Sequence, residues 1–311
     1  MSGFRQTPEL RFIEVPGPLA VGEKPRKMAW WDWPAQPEAD PHRVVVCVHG
    51  LSRQGRDFDV LAQSLTVQAR VIAVDVAGRG QSDWLVDPMA YQVGTYAADM
   101  AVLLAQLRAQ DPLVQVDWVG TSMGGLIGIA LAAQPGTGLR RLVLNDVGPV
   151  IQWEALCRIG AYVGRNPSFG ERQEAIDYLR TLSAGFGPHD DETWTALSVP
   201  MLRERDGRWW LHYDPAIGVP VRALTDAADQ AAARQVVREG EAALWALYDA
   251  IQTRTLLLRG AVSDLLSPET ARMMGERGPR ARCIEFAGVG HAPTLVAGDQ
   301  VAAVADFLAQ E

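Results

Sequence analysis

A chain of 311 residues, 48% hydrophobic and 21% charged, has globular composition and enough apolar material for a large core, so disordered and collagen-like architectures are excluded. Its 37 acidic against 29 basic side chains leave a net charge of −8 with no long run of one sign, a surface that repels nucleic-acid phosphates and anionic lipid. The N-terminal MSGFRQTPELRF is polar, and no apolar run approaches the roughly 18 residues a membrane helix needs. Neither a secretory leader, a membrane span nor a nucleic-acid partner is therefore expected, and the default is a cytoplasmic protein. At roughly 150 residues per domain, two domains and one core with an insertion are both open. Three cysteines, Cys47, Cys157 and Cys283, form an odd set at wide spacing and read as reduced core residues.

In chain order, 11–15 and 27–33 suggest an antiparallel edge pair, the second unusual for Trp30, Trp31 and Trp33. The run RVVVCV at 43–48 is β-branched throughout and ends at His49-Gly50, the mark of a strand buried on both faces and so of a parallel sheet. Phe58, Leu61, Ala62 and Leu65 recur at helical spacing, a strand follows at 70–76, and Tyr96, Met100, Leu103, Leu104 and Leu107 outline a longer helix. A strand at 115–119 runs into Gly120-Thr121-Ser122-Met123-Gly124-Gly125, then an apolar helix at 126–133 and another strand at 141–144. This alternation predicts an α/β fold with a mostly parallel, doubly wound sheet. From 149 to 252 strand-like runs are scarce and helical patterns such as 171–182 and 227–251 dominate. A strand at 255–258, a helix at 268–275, a strand at 281–286 and a helix at 300–309 then restore the earlier pattern. The expected organisation is one core, 1–148 with 253–311, interrupted by a helical insert at 149–252.

Gly120-Thr121-Ser122-Met123-Gly124 fits G-x-S-x-G in its confirming context, a buried strand before it and a helix after it. A serine presented on so sharp a turn needs small flanking residues, and the helix start aims backbone N–H groups at developing negative charge. The alternative is a glycine-rich turn whose serine is only a cap. As a nucleophile, Ser122 needs a base held by a carboxylate. Of the five histidines, His291 follows the last strand, at the same sheet edge, whereas His42 precedes a strand, His49 ends one, and His189 and His212 lie in the insert. Asp264, in the loop after the preceding strand, is the matching acid, its alternative being a turn or helix-capping aspartate. Joint position favours the three together, in the order Ser, Asp, His.

On these residues the chain resembles the α/β-hydrolase fold superfamily, over most of its length from about residue 11. His49-Gly50-Leu51, Asp75-x-x-Gly78-x-Gly80-x-Ser82, the Ser122 elbow, the Asp264 loop and Gly290-His291 are the matching elements. The resemblance implies a helical cap, or lid, inserted after the sixth strand, and backbone N–H groups of Leu51 and Met123 as the oxyanion hole. Asp146 occupies a position from which some members draw the acid, but Gly260-x-x-x-Asp264-x-x-x-Pro268 fits the more usual loop and Asp264 is preferred. Asp75 and Asp83 read as structural turn residues. A serine rather than an aspartate at the elbow argues against epoxide hydrolases and haloalkane dehalogenases. The absent HGGG loop argues against long-chain lipases.

The expected activity is carboxylic ester hydrolysis of small to medium acyl or hydroxyacid substrates, polyester-type oligomers included, through an acyl-enzyme on Ser122. The same triad in this superfamily also serves enol-lactonases, thioesterases, perhydrolases and carbon–carbon bond hydrolases, and a non-catalytic ligand receptor is the reading from another class. No cofactor and no metal are expected, since His and Cys show no ligand spacing. The partner is a small-molecule ester, and a homo-oligomer stays open. Most aromatic residues of the insert should pack it onto the core. Trp153, Trp194 and Trp210, with Ser52 and Arg53 beside the oxyanion loop, are the candidates for substrate contact.

Overall fold

The computed structural model describes residues 7–17 and 24–310. Residues 1–6 of the N-terminal segment, read above for a leader, lie outside them. The chain opens with β1 (Glu9–Val15) and β2 (Arg26–Trp33), an antiparallel pair whose register runs from Glu9 opposite Asp32 to Val15 opposite Arg26. Then come β3 (Arg43–Val48), α1 (Asp59–Leu65), β4 (Arg70–Asp75), α2 (Val93–Gln110), β5 (Gln115–Thr121), α3 (Met123–Ala132) and β6 (Leu139–Asn145).

Next is the insert: α4 (Trp153–Tyr162), β7 (Ser168–Phe169), α5 (Arg172–Leu182), α6 (Asp191–Ser198), β8 (Leu202–Arg205), β9 (Arg208–Leu211), α7 (Val219–Thr225) and α8 (Gln230–Ala250). The chain closes with β10 (Arg254–Gly260), α9 (Pro268–Glu276), β11 (Arg282–Phe286) and α10 (Gly298–Ala309). The main sheet has the order β1-β2-β4-β3-β5-β6-β10-β11, and β3 to β6, β10 and β11 pair in parallel.

Alternation along each strand feeds two cores. Val44, Val46 and Val48 of β3 join Met100, Leu103 and Ile127 on one face, while Val45 and Cys47 join Leu61, Leu65 and Phe307 on the other. Both faces being covered, β3 is apolar at every position from Val44 to Val48, the reason the run RVVVCV reads as continuous. The order in which successive strands are laid down reverses at β3, which lies between β4 and β5. That reversal opens a crevice at the strands' carboxyl ends, and the loops after β3 and β5 both empty into it.

The insert contains one feature the sequence reading missed, a small antiparallel sheet of order β7-β9-β8. Its hairpin turns at Asp206-Gly207, with φ of 54° and 70°, the pair of positive values a type I′ turn demands and an Asp-Gly dipeptide supplies. That dipeptide was the available signal. Of the cysteines, Cys47 is buried, Cys157 is half-buried and Cys283 is exposed on edge strand β11. Cys283 is therefore not a core residue: on an edge strand, the apolar run it belongs to has one uncovered side. Among the described residues no helix is long and apolar enough to cross a membrane.

Candidate active site

Ser122 stands between β5 and α3 at φ 51°, ψ −115°, outside the regions an L-residue prefers. Close packing over-determines this turn. A Cβ on Gly124 would lie 2.0 Å from the Val48 carbonyl oxygen, and one on Gly120 would lie 2.2 Å from the Gly124 carbonyl oxygen. Gly124→Ala therefore forces β3 and α3 apart. We expect it to lose about 3 kcal/mol or more of stability, read as a lower urea midpoint, and to lose its reactive serine as well; an unchanged midpoint would refute this packing argument.

His291 reaches Ser122 from the loop after β11: its Nε2 is 3.0 Å from Ser122 Oγ. Its Nδ1 lies 2.7 Å from Asp146 Oδ2. Asp146, directly after β6 at φ 57° and fully buried, also accepts from Ser263 Oγ at 2.6 Å and from the Gly260 amide at 2.9 Å. Held by these donors, the carboxylate fixes the imidazole it faces. Asn145 braces the arrangement, its Nδ2 donating to Thr121 Oγ1 at 3.0 Å and to the Pro293 carbonyl at 2.8 Å.

The carboxylate that meets His291 is thus Asp146, and Asp264, expected there from sequence, makes no hydrogen bond to His291. The loop after β10 sends Ser263 toward the relay, while Asp264 turns outward and accepts Arg158 Nε at 2.6 Å and Nη2 at 2.9 Å. Adjacent loop residues point to opposite sides, and here the hydroxyl took the inner one.

Beside the serine, His49 is buried and holds Leu51 in place. Its Nδ1 donates to the Gly50 carbonyl at 2.7 Å while its Nε2 accepts the Val76 amide at 3.0 Å. Burial pushes its pKa down to about 3, so it remains the neutral donor–acceptor this geometry uses. In a trans peptide, pinning the Gly50 carbonyl also directs the Leu51 N–H the opposite way. Arg79, wholly buried and without a carboxylate partner among the described residues, donates from Nε to the Leu51 carbonyl at 2.8 Å and from Nη2 to Met123 Sδ at 3.5 Å. One guanidinium thereby braces both residues expected to supply the oxyanion donors. Among the described residues, neither the Leu51 nor the Met123 amide has a protein acceptor.

A family model described as the alpha/beta hydrolase family matches residues 45–305. The chain belongs to the alpha/beta hydrolase family. It is 43% identical over 307 residues to a 3-hydroxybutyrate-oligomer hydrolase of Cupriavidus necator, covering 97% of this chain and 98% of that one. It is 27% identical to a 2-hydroxymuconate semialdehyde hydrolase of a Pseudomonas species over 82% of this chain and 81% of that protein. The crystal structure of an alpha/beta hydrolase from Novosphingobium aromaticivorans superimposes with a TM-score of 0.79 at 31% identity, over 98% of this chain and 99% of that one.

In this hydrolase a cavity of about 100 Å³ opens onto Ser122 and His291, room for a short acyl unit rather than a long chain. Core loops supply Leu51, Ser52, Arg53 and Thr121; the insert supplies Arg158, Ile159, Tyr162, Leu179, Phe186, Leu197, Met201 and Tyr213. Ser52 and Arg53 therefore line it, but Trp153, Trp194 and Trp210 do not. Trp194 stacks behind Phe186 at 6.3 Å between ring centroids, Trp153 packs under Arg234 at 4.6 Å, and Trp210 is spent in the small sheet. These tryptophans hold the insert together, and Tyr162, Phe186 and Tyr213 are its aromatic residues that face the cavity. Sequence reasoning missed Arg158, whose helical position gave no sign of the cavity. Among the described residues no cluster of His, Cys, Asp or Glu is placed to hold a metal ion.

Proposed function

We propose that this chain is a serine hydrolase of carboxylic esters acting on short oligomers of hydroxyacids, 3-hydroxybutyrate above all, with residues 149–252 as the cap that closes over the substrate. The observation that carries the proposal is the unbroken relay from Ser122 Oγ through His291 to Asp146, at 3.0 and 2.7 Å, facing a cavity the size of a short acyl unit. The 43% identity to a 3-hydroxybutyrate-oligomer hydrolase along nearly the whole chain supports the substrate class.

In this mechanism His291 Nε2 takes the Ser122 proton as Oγ attacks the ester carbonyl, and Asp146 stabilises the imidazolium that results. The Leu51 and Met123 N–H groups meet the oxyanion, each donor worth about 3 kcal/mol of barrier. Collapse expels the alcohol, which takes the proton from His291 and leaves an acyl group on Ser122. Water, deprotonated by the same imidazole, releases the acid and restores Ser122. The three unpaired cysteines suit a reducing cytoplasm as the place of action.

Incubation with the dimer and trimer of 3-hydroxybutyrate, beside a panel of p-nitrophenyl esters, tests the proposal. Release of monomer at a rate exceeding that of simple alkyl esters is the expected outcome. A second reading, carbon–carbon bond cleavage, draws on the likeness to the 2-hydroxymuconate semialdehyde hydrolase. Turnover of a vinylogous diketone with inert oligomers would replace the first reading by the second.

A further inference from the structure

Two arginine–aspartate pairs lie on or just behind the cavity wall, and they are not equivalent. Arg53 is neutralised inside it: Nε and Nη2 donate to Asp57 at 2.7 and 2.6 Å, Nη2 also reaches the Leu197 carbonyl at 2.8 Å, and Asp57 itself lines the cavity. Arg158 lines the same cavity from α4, yet its counterion, Asp264, does not. Asp264 grips the Nε–Nη2 edge of the guanidinium. A guanidinium has five N–H donors in a fixed planar fork; Asp264 takes two and the Tyr162 hydroxyl oxygen accepts another, so two N–H groups are left over, with the Tyr162 O–H beside them as a further donor. The Arg158 side chain is 42% exposed, which puts it at the mouth rather than the floor.

We propose that Arg158, positioned by Asp264, anchors a substrate carboxylate at the cavity mouth, so that the enzyme reads the free acid end of its substrate. The proposal rests on the hydroxyacid-oligomer reading above and narrows it to anionic oligomers. In such a substrate every scissile ester lies a few bonds from the next carbonyl, and at the terminus that neighbour is a carboxylate. A cation at the rim with the serine below selects the terminal ester and favours release of one hydroxyacid per turnover. Planar two-point recognition suits arginine. It also overcomes a general electrostatic obstacle, since a protein of net charge −8 otherwise repels anions.

The plainer role for the pair, a latch between cap and core, predicts something different. Rates for the 3-hydroxybutyrate dimer as free acid and as methyl ester, with wild type, Arg158→Gln and Arg158→Lys, separate the two. A charged hydrogen bond lost from the bound substrate raises KM about 10- to 100-fold for the free acid. The methyl ester should stay within about threefold, kcat should hold for both, and Lys should rescue part of the loss. Equal losses for acid and ester would make the pair a latch and overturn the proposal, as would no loss for either. Competition by 3-hydroxybutyrate against p-nitrophenyl acetate reads the same site without oligomer turnover. Inhibition of wild type that is lost in Arg158→Gln upholds the anion site even if oligomers prove inert, in which case the oligomer reading alone falls. Inhibition of equal strength in both proteins, or in neither, removes the anion site.

Discussion

Ser122→Ala should abolish labelling by a fluorophosphonate and lower kcat for any ester by about a million-fold, the scale seen when the nucleophile of a serine relay is deleted. Whatever survives comes from the Leu51 and Met123 amides, which the substitution leaves in place. Stability separates this loss from unfolding. Alanine keeps a Cβ and so keeps the strain of φ 51°, and only the 3.0 Å contact to His291 disappears, so the folded state should change by about 1 kcal/mol or less. Ser122→Gly should be as inactive yet more stable than the alanine variant. Glycine adopts this conformation freely, and relief of about 1–3 kcal/mol of strain exceeds its extra unfolded-state entropy. A thermal scan checks the order, with glycine the higher of the two by about 1–3 °C. If Ser122→Ala still took up the label, the nucleophile would be elsewhere. If the glycine variant melted no higher than the alanine one, the elbow would not be storing strain.

What the sequence made legible was whatever depends on local pattern. Continuous apolar runs such as 43–48 marked strands covered on both faces, and G-x-S-x-G marked the elbow because Gly120 answers a contact inside the motif, against Gly124. His291 was legible because it had few rivals and a loop at the right sheet edge. The acid was not. Asp146 and Asp264 both follow strands at that edge, and the choice turns on which way one peptide of the 263–264 loop faces. Arg158, 106 residues from Asp264 in sequence, draws that carboxylate outward, a pairing no local window contains. The cavity wall was illegible for a related reason. An aromatic side chain in a helix or strand packs equally well toward neighbours or a pocket, and the sequence of the insert does not distinguish Phe186, which faces the cavity, from Trp194, which stacks behind it.

The assignment of the acid yields a paired expectation. Asp146→Asn should lower kcat by about 10,000-fold, the cost seen when an amide replaces the carboxylate of such a relay. The carboxylate accepts from His291 Nδ1, which keeps Nε2 unprotonated and able to receive the serine proton. An asparagine NH₂ turned toward Nδ1 favours the opposite tautomer, with the proton on Nε2, and Ser122 then has no base. The second oxygen of Asp146 already accepts the Gly260 amide, so the asparagine orients its carbonyl there and its NH₂ toward the imidazole. The backbone does not confound the experiment, because asparagine tolerates the φ of 57° at this position better than most residues. Asp264→Asn, measured on a neutral ester so that the Arg158 subsite is not engaged, should stay within about threefold of wild type, since its exposed ion pair contributes about 1 kcal/mol or less. A large loss in Asp264→Asn beside a small one in Asp146→Asn would return the acid's role to the loop after β10, and would require that loop to swing Asp264 inward past Ser263 during turnover.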